Sequence, residues 1–219
     1  MRARHLLRRL GREQSAIAMT EFALALPIVT TMLLSGAEIA NFVTVKMRVS
    51  QMALHIADNA ARMGSGAVGA AKNISEAQIN DVLTGAGMQA AELNLYSNGR
   101  VILSQVEAVN PLDATQGSRI DWQRCRGTLV RTSGYGVENE IKINGIGPTG
   151  REVRASGSNL IQFAEVHYTY KPLFSSRLVP TTTITEIASM MVRERRSQPA
   201  SMPNPEGVTA STCDRYTST

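Results

Sequence analysis

The feature that most constrains this chain is an apolar stretch close to its start. The stretch runs from Ile17 to Val45 and follows a cluster of arginines within the first twelve residues. It carries one glutamate near its beginning, Glu21, and a second, Glu38, farther along. An acidic side chain at the edge of a membrane helix is costly to place, so Glu21 indicates a specific partner.

The stretch is long enough to cross a bilayer. The sixteen residues from Phe22 to Ala37 carry no charge, and the flanks extend the span from Ala16 to Ala40. At about 1.5 Å per residue, Glu21 and Glu38 lie roughly 25 Å apart, near the two edges of a ~30 Å hydrocarbon core. The pattern predicts a membrane-spanning helix. The alternative is a cleaved secretory signal peptide. The length of the apolar region and its continuation into a further helical pattern argue against that alternative.

Most of the net charge lies at the amino-terminal end. The chain carries +5, and five arginines and one glutamate put +4 of that in residues 1–14. The arginines are Arg2, Arg4, Arg8, Arg9 and Arg12. Because Lys and Arg remain on the cytoplasmic side, residues 1–16 are predicted to be a cytoplasmic leader and the chain after the span to be exported. The rest is nearly neutral, so no nucleic-acid partner is expected.

The helical pattern continues beyond the membrane. Apolar residues recur there at spacings of three and four: Val45, Val49, Met52, Ala53, Ile56, Ala60 and Met63. This amphipathic period predicts one helix over residues 17–63, bent at Pro27 and ended by the glycines that begin at Gly64.

The rest of the chain predicts an α+β domain over residues 64–196. Ser75 and Gln78 have the spacing of a capping box and predict a second helix. A period of two then predicts a small antiparallel sheet. Its strands are Leu93–Tyr96 and Arg100–Val109, joined by a hairpin at Asn98-Gly99, then Ile120–Arg131, Leu160–Tyr170 and Thr181–Arg193. Residues 132–158 form a long excursion and residues 197–219 a Pro-, Ser- and Thr-rich tail.

Two cysteines, Cys125 and Cys213, lie in the part predicted to be exported. In an oxidising compartment they are predicted to form a disulfide that holds the tail; the alternative is two free thiols.

The search for chemistry favours a protein without catalysis. The three histidines are isolated in sequence, so no metal site is expected. The segment Gly145–Gly150 matches G-x-G-x-x-G, but Pro148 removes a backbone donor and no helix pattern follows, so no cofactor is expected. Gly36 and Ala40 form a small-xxx-small pair that allows close approach of helices, although such a pair also arises by chance in an alanine-rich helix.

The segment Thr20–Pro27, which reads TEFALALP, and the segment Gly36–Ile39, which reads GAEI, resemble the TadE/TadG-like family. These are pseudopilins, or minor pilin-like proteins, of the Flp (tight adherence) pilus system. Weaker likenesses are WQRCRG at Trp122–Gly127 and YTYKPLF at Tyr168–Phe174. The resemblance implies a pilin-like periplasmic domain anchored in the inner membrane. It also implies other pilins or pseudopilins, the Tad secretion machinery and a prepilin peptidase as partners.

The resemblance also implies a cleavage site and a role for Glu21. A prepilin peptidase leaves a glutamate at mature position five, so the cut falls between Ala16 and Ile17 and Glu21 becomes a counter-ion in assembly. The family prefers glycine before the cut, where this chain has Ala16. A cut after Gly11 would leave Glu21 without that role. Two other functions compete with a pseudopilin: an uncleaved, membrane-anchored periplasmic binding or sensing protein, and an exported enzyme on a signal anchor.

Overall fold

The computed structural model describes residues 14–67, 69–174, 181–197 and 201–218. The arginine cluster of the predicted leader lies outside these residues. The first element is one long helix, α1 (Gln14–Arg62), which contains Pro27. The helix predicted from periodicity over residues 17–63 is therefore confirmed. It ends before Gly64, whose φ of +128° is a conformation that side-chain-bearing residues rarely adopt.

A second helix, α2 (Glu76–Gln89), comes next in the chain. The side chain of Gln78 accepts a hydrogen bond from the Ser75 N–H at 3.2 Å, as the capping spacing predicted. Its apolar side chains Ile79, Leu83 and Ala86 are buried in the core.

The predicted hairpin at Asn98-Gly99 is wrong. Residues Ala91–Leu93 form a 3₁₀ turn and Leu95–Asn98 a short helix, α3, and the first strand, β1 (Gly99–Ala108), begins directly after it. The reason is that both edges of β1 are already occupied by other strands. Residues 93–96 instead place Leu93, Leu95 and Tyr96 in the core.

The remaining strands are β2 (Ser118–Arg126), β3 (Ile141–Lys142), β4 (Ile161–Tyr170) and β5 (Thr182–Met191). They form an antiparallel sheet with the order β3-β2-β1-β4-β5. The predicted strands at 160–170 and 181–193 are confirmed. The strand predicted over 120–131 begins slightly earlier and ends at Arg126, where Gly127 turns the chain with a φ of +125°.

The carboxyl-terminal half of α1 packs over β4 and β5 and runs parallel to β5. Lys46 lies 3.9 Å from Glu186, and Arg193 donates a hydrogen bond to Asp58 at 3.0 Å, near the other end of both elements. The main core fills the space between the helices and the sheet. The predicted apolar stripe of α1 contributes to it throughout: Val49, Met52, Ala53, Ile56 and Ala60 are buried, and Val45 and Met63 pack against them.

A second apolar cluster lies beside β1, β2 and β4. It contains Val106, Ile120 and Phe163 from the strands, together with Ile146 and Ala155 from the excursion at 132–158. The excursion is irregular, as predicted, apart from the two-residue strand β3. The described chain is therefore an α+β domain built on the second half of a long helix, whose first half extends away from it.

Candidate functional site: the two halves of the long helix

The first half of α1 is an apolar helix that the domain does not cover. Among the described residues, one helix is long and apolar enough to cross a membrane, and none of the residues in its most apolar 18-residue window is buried. Large apolar side chains are exposed all around it: Ile17, Met19, Phe22, Leu24, Leu26, Ile28, Val29, Met32, Leu33 and Leu34. Burial of each is worth about 1.5–3 kcal/mol, so this surface strongly favours an apolar surrounding.

The hydroxyl groups in this half are satisfied by the helix itself. Thr20 donates to the carbonyl oxygen of Ile17, and Thr31 donates to that of Pro27, both at 2.7 Å. Glu21 is different. It is exposed, it is the one charged side chain between Gln14 and Ala37, and within the described residues it has no hydrogen-bond or ion-pair partner.

The structure places the other predicted positions of this half on open surface. Gly36 and Ala40 are exposed, and a Cβ added to Gly36 would meet nothing within 4 Å. The peptide bond between Ala16 and Ile17, the predicted cleavage site, lies in the first turn of α1. The side chains of residues 14–16 are outside the described part of the chain. The roles of these positions remain predictions.

Glu38 marks the point at which α1 meets the domain. It is 6% exposed, although its neighbours Ala37 and Ile39 are exposed. Its carboxylate accepts a hydrogen bond from the Tyr170 hydroxyl at 2.5 Å, and its second oxygen accepts one from the Leu173 N–H at 2.9 Å. The Phe174 N–H lies at 3.4 Å from that same oxygen, a long contact. One carboxylate thus joins the helix to the loop that leaves β4.

Tyr170 extends this cluster toward the core. It is 1% exposed, and its hydroxyl accepts a hydrogen bond from the Asn41 side-chain amide at 2.8 Å. Its ring packs edge-on against Phe42 with 5.1 Å between the ring centroids. Burial raises the pKa of the Tyr170 phenol because it disfavours the charged phenolate, and the neighbouring Glu38 carboxylate raises it further because it opposes a second negative charge. Tyr170 therefore stays a donor to Glu38 at neutral pH.

Sequence reasoning identified Glu38 as the end of the apolar span but missed its role. The signal was present in the spacing. Continuing the amphipathic stripe backward from Val45 gives Phe42 and then Glu38, at steps of three and four residues. Glu38 thus lies on the face of α1 that contacts the domain. Its partner Tyr170 is 132 residues away in the chain, a contact that helical spacing does not predict.

The predicted disulfide is present. Cys125 in β2 and Cys213 in the carboxyl-terminal segment are bonded, with 4.7 Å between their Cα atoms. The predicted tail is held at further points as well. The buried guanidinium of Arg100 donates to the carbonyl oxygens of Cys213 at 2.7 Å and Arg215 at 3.0 Å, and it lies 4.1 Å from the centre of the Tyr216 ring.

A polar cavity of about 370 Å³ lies at the side of the sheet, away from the exposed half of α1. Its charged walls are paired: Glu138 accepts a hydrogen bond from Arg124 at 3.1 Å, and Asp121 accepts one from Gln105 at 2.8 Å. Burial, followed by the nearby carboxylates, raises the pKa of Asp121. The buried indole N–H of Trp122 at this cavity has no acceptor within the described residues.

The arrangement therefore offers an uncovered apolar helix with one acid, Glu21, that has no partner in the described part of the chain. A second acid, Glu38, is hydrogen-bonded and joins this helix to a disulfide-bonded domain. Comparison of the chain with known protein families, with curated proteins and with solved structures finds no match.

Proposed function

We propose that this protein is a pseudopilin or minor pilin of the TadE-like kind that acts in Flp pilus assembly and adherence. The observation that carries the proposal is the division of α1. Its first half exposes apolar side chains on every face, and its second half forms the spine of an antiparallel-sheet domain. The same helix thus serves as an inner-membrane anchor and as the core of a periplasmic domain.

Glu21 is the residue through which subunits recognise one another. In the membrane edge its carboxylate has no partner within the described residues, although it lies among exposed apolar side chains. After cleavage between Ala16 and Ile17, the new α-amino group of a neighbouring subunit supplies a positive charge. The two groups attract strongly in a medium of low dielectric constant, and desolvation offsets part of this attraction.

The open surface at Gly36 and Ala40 supports the same proposal. A partner helix can approach the backbone closely there, because Gly36 has no side chain and Ala40 only a methyl group. Neither residue contributes to the core of the single chain. In the proposed assembly, a neighbouring helix of the pilus or of its assembly machinery packs closely against this pair.

The test replaces Glu21 by Gln, which keeps the shape and removes the charge. In a strain that lacks the native copy, Glu21→Gln reduces piliation and adherence and leaves expression, membrane insertion and the disulfide unchanged. Glu92→Gln is the matched control, since Glu92 is a highly exposed acid on the domain surface. Normal pili and adherence with Glu21→Gln would refute the counter-ion mechanism.

Processing is tested separately by mass spectrometry of the protein from a host that contains the peptidase. The expected mature chain begins at Ile17. Intact residues 1–16 in most molecules would instead favour the second candidate function, an uncleaved, membrane-anchored binding or sensing protein.

The polar cavity is the observation that favours this second candidate. Charged side chains from β1 and β2 line it, among them Arg119, Asp121 and Arg124, and such a lining suits a small polar ligand. A ligand at this cavity changes the fluorescence of Trp122, the single tryptophan of the chain. Screening polar metabolites by this emission separates the candidates, because a pseudopilin gives no saturable change.

A further inference from the structure

The loop that follows β4 carries exposed apolar side chains at one end of the domain. It comprises Lys171–Phe174, and Leu173 is 57% and Phe174 49% exposed. On the adjacent helix surface Ile39 is 64% exposed. Exposed apolar side chains are therefore present on both the helix and the loop at this end of the domain.

The level of this loop along α1 is fixed by Glu38. The amide nitrogens of Leu173 and Phe174 lie 2.9 and 3.4 Å from one oxygen of its carboxylate. Because Tyr170 binds the other oxygen, the loop is attached to the helix on both sides of Lys171 and Pro172. It therefore stays beside α1 at the height of Glu38.

That height coincides with the outer edge of the bilayer. The helical segment from Glu21 to Glu38 is roughly 25 Å long, close to the ~30 Å hydrocarbon core. With this segment in the core, Glu38 lies at the interface, and Leu173 and Phe174 lie at the same depth. Aromatic and apolar side chains are favourable there, and an exposed Lys171 is within reach of lipid phosphates.

We infer that the loop Lys171–Phe174 is a second membrane contact, with Leu173 and Phe174 in the acyl–headgroup boundary of the leaflet that faces the domain. The inference rests on the membrane-spanning role of α1 in the proposed function. A helix alone leaves the domain free to tilt and rotate. A second contact beside it fixes the orientation in which the domain meets its neighbours.

The occupant of this surface is lipid because Glu38 holds the loop at the level where the exposed apolar segment of α1 ends. The opposite end of the sheet provides the contrast. Leu112, in the turn between β1 and β2, is 97% exposed, but β1 runs the length of the sheet to reach it. It therefore lies far from the bilayer.

The test uses the full-length protein in nanodiscs of phosphatidylcholine and phosphatidylglycerol with brominated acyl chains. Phe174→Trp places a fluorophore in the loop. Leu112→Trp is the control at the far end of the sheet, and Ile28→Trp is the control within the spanning segment. Trp122 is 4% exposed and stays in all variants, so the wild-type emission is subtracted.

The expected result is strong bromine quenching and a blue-shifted emission for Phe174→Trp, as for Ile28→Trp, with no quenching for Leu112→Trp. Quenching of Ile28→Trp alone would overturn the loop contact and leave the membrane anchor intact. A blue-shifted but unquenched Phe174→Trp would assign the surface to a second protein copy and overturn the lipid contact. An unquenched Ile28→Trp would overturn both the anchor and the loop contact.

Discussion

The junction at Glu38 supports a prediction about stability that is independent of any pilus function. Glu38→Gln keeps the volume of the side chain and removes its charge. The one amide oxygen can replace only one of the two carboxylate oxygens, which accept from the Tyr170 hydroxyl and the Leu173 N–H, so one charge-assisted hydrogen bond is lost and the other is weakened. A hydrogen bond to a charged group contributes about 1.5–3 kcal/mol. Glu38→Gln is therefore expected to lower the free energy of unfolding by about 1.5–3 kcal/mol.

The larger truncation, Glu38→Ala, removes both short contacts, those of Tyr170 at 2.5 Å and Leu173 at 2.9 Å. Two charge-assisted hydrogen bonds sum to about 3–6 kcal/mol, but the loop amide is rehydrated when the acid is lost, so the expected cost is about 3 kcal/mol. The contact of the Phe174 N–H at 3.4 Å is too long to add much.

The assay is guanidinium unfolding of the full chain in mild detergent, followed by the fluorescence of Trp122. This residue lies in the same core cluster as Tyr170, so its emission reports on unfolding of the domain. A double-mutant cycle of Glu38→Gln with Tyr170→Phe isolates the pair, and we expect a coupling energy of about 1.5–3 kcal/mol.

The control is Glu92→Gln. The Glu92 side chain is 78% exposed and pairs with Arg48 on the surface, so its loss is expected to change stability by less than about 1 kcal/mol. A coupling energy below about 0.5 kcal/mol for Glu38 and Tyr170 would refute the assignment of Glu38 as the joint between helix and domain.

Two further predictions concern the disulfide and alkaline pH. Replacing both Cys125 and Cys213 by Ser opens a loop whose ends are separated by 88 residues. The chain-entropy relation gives an upper value of about 4.6 kcal/mol for the resulting loss in the free energy of unfolding, measured in guanidinium. An unchanged midpoint would show that the contacts of Arg100 are enough to hold the carboxyl-terminal segment. Stability is also expected to fall as pH rises above about 10, where unfolded tyrosines ionise. Burial raises the pKa of three core tyrosines, Tyr96, Tyr168 and Tyr170. Above about pH 10 the native state therefore keeps phenol protons that the unfolded state loses, and this lowers the free energy of unfolding. Burial lowers the pKa of Arg196 to about 10, which raises the free energy of unfolding with pH and so opposes the tyrosines. A net rise in stability between pH 9 and 11 would contradict the prediction.

The long helix and most of the sheet could be predicted because local spacing determines them. The stripe of α1 repeats over many turns, and Gly64 ends it through a backbone preference that needs no distant partner. In β4 the alternation of Ala164, Val166 and Tyr168 identifies the face that meets the core. Such patterns extend over enough residues that a single residue that does not fit leaves the prediction unchanged.

The segment before β1 shows where local spacing fails. Leu93 and Leu95 alternate as in a strand, and Asn98-Gly99 is a common hairpin turn. Tertiary contacts decide otherwise, since the Tyr168 hydroxyl donates to the Leu93 carbonyl at 3.1 Å and the Asn98 side chain donates to the same oxygen at 3.1 Å. Asn94 adopts a left-handed conformation with a φ of +48°. Tyr168 comes from β4, 75 residues later in the chain, so its contact with Leu93 was not visible in the local pattern.

The two glutamates of α1 show how the same residue type can lie in two different surroundings. Both flank one apolar stretch, and a carboxylate in an apolar setting needs a donor or a positive charge to stabilise it. Glu38 receives its donors from the chain itself, through Tyr170 and the loop after β4. Glu21 has no donor within the described residues and lies beyond the reach of the domain. Under the proposed function its partner comes from a neighbouring subunit, so Glu38 is expected to affect unfolding of the single chain and Glu21 to affect assembly.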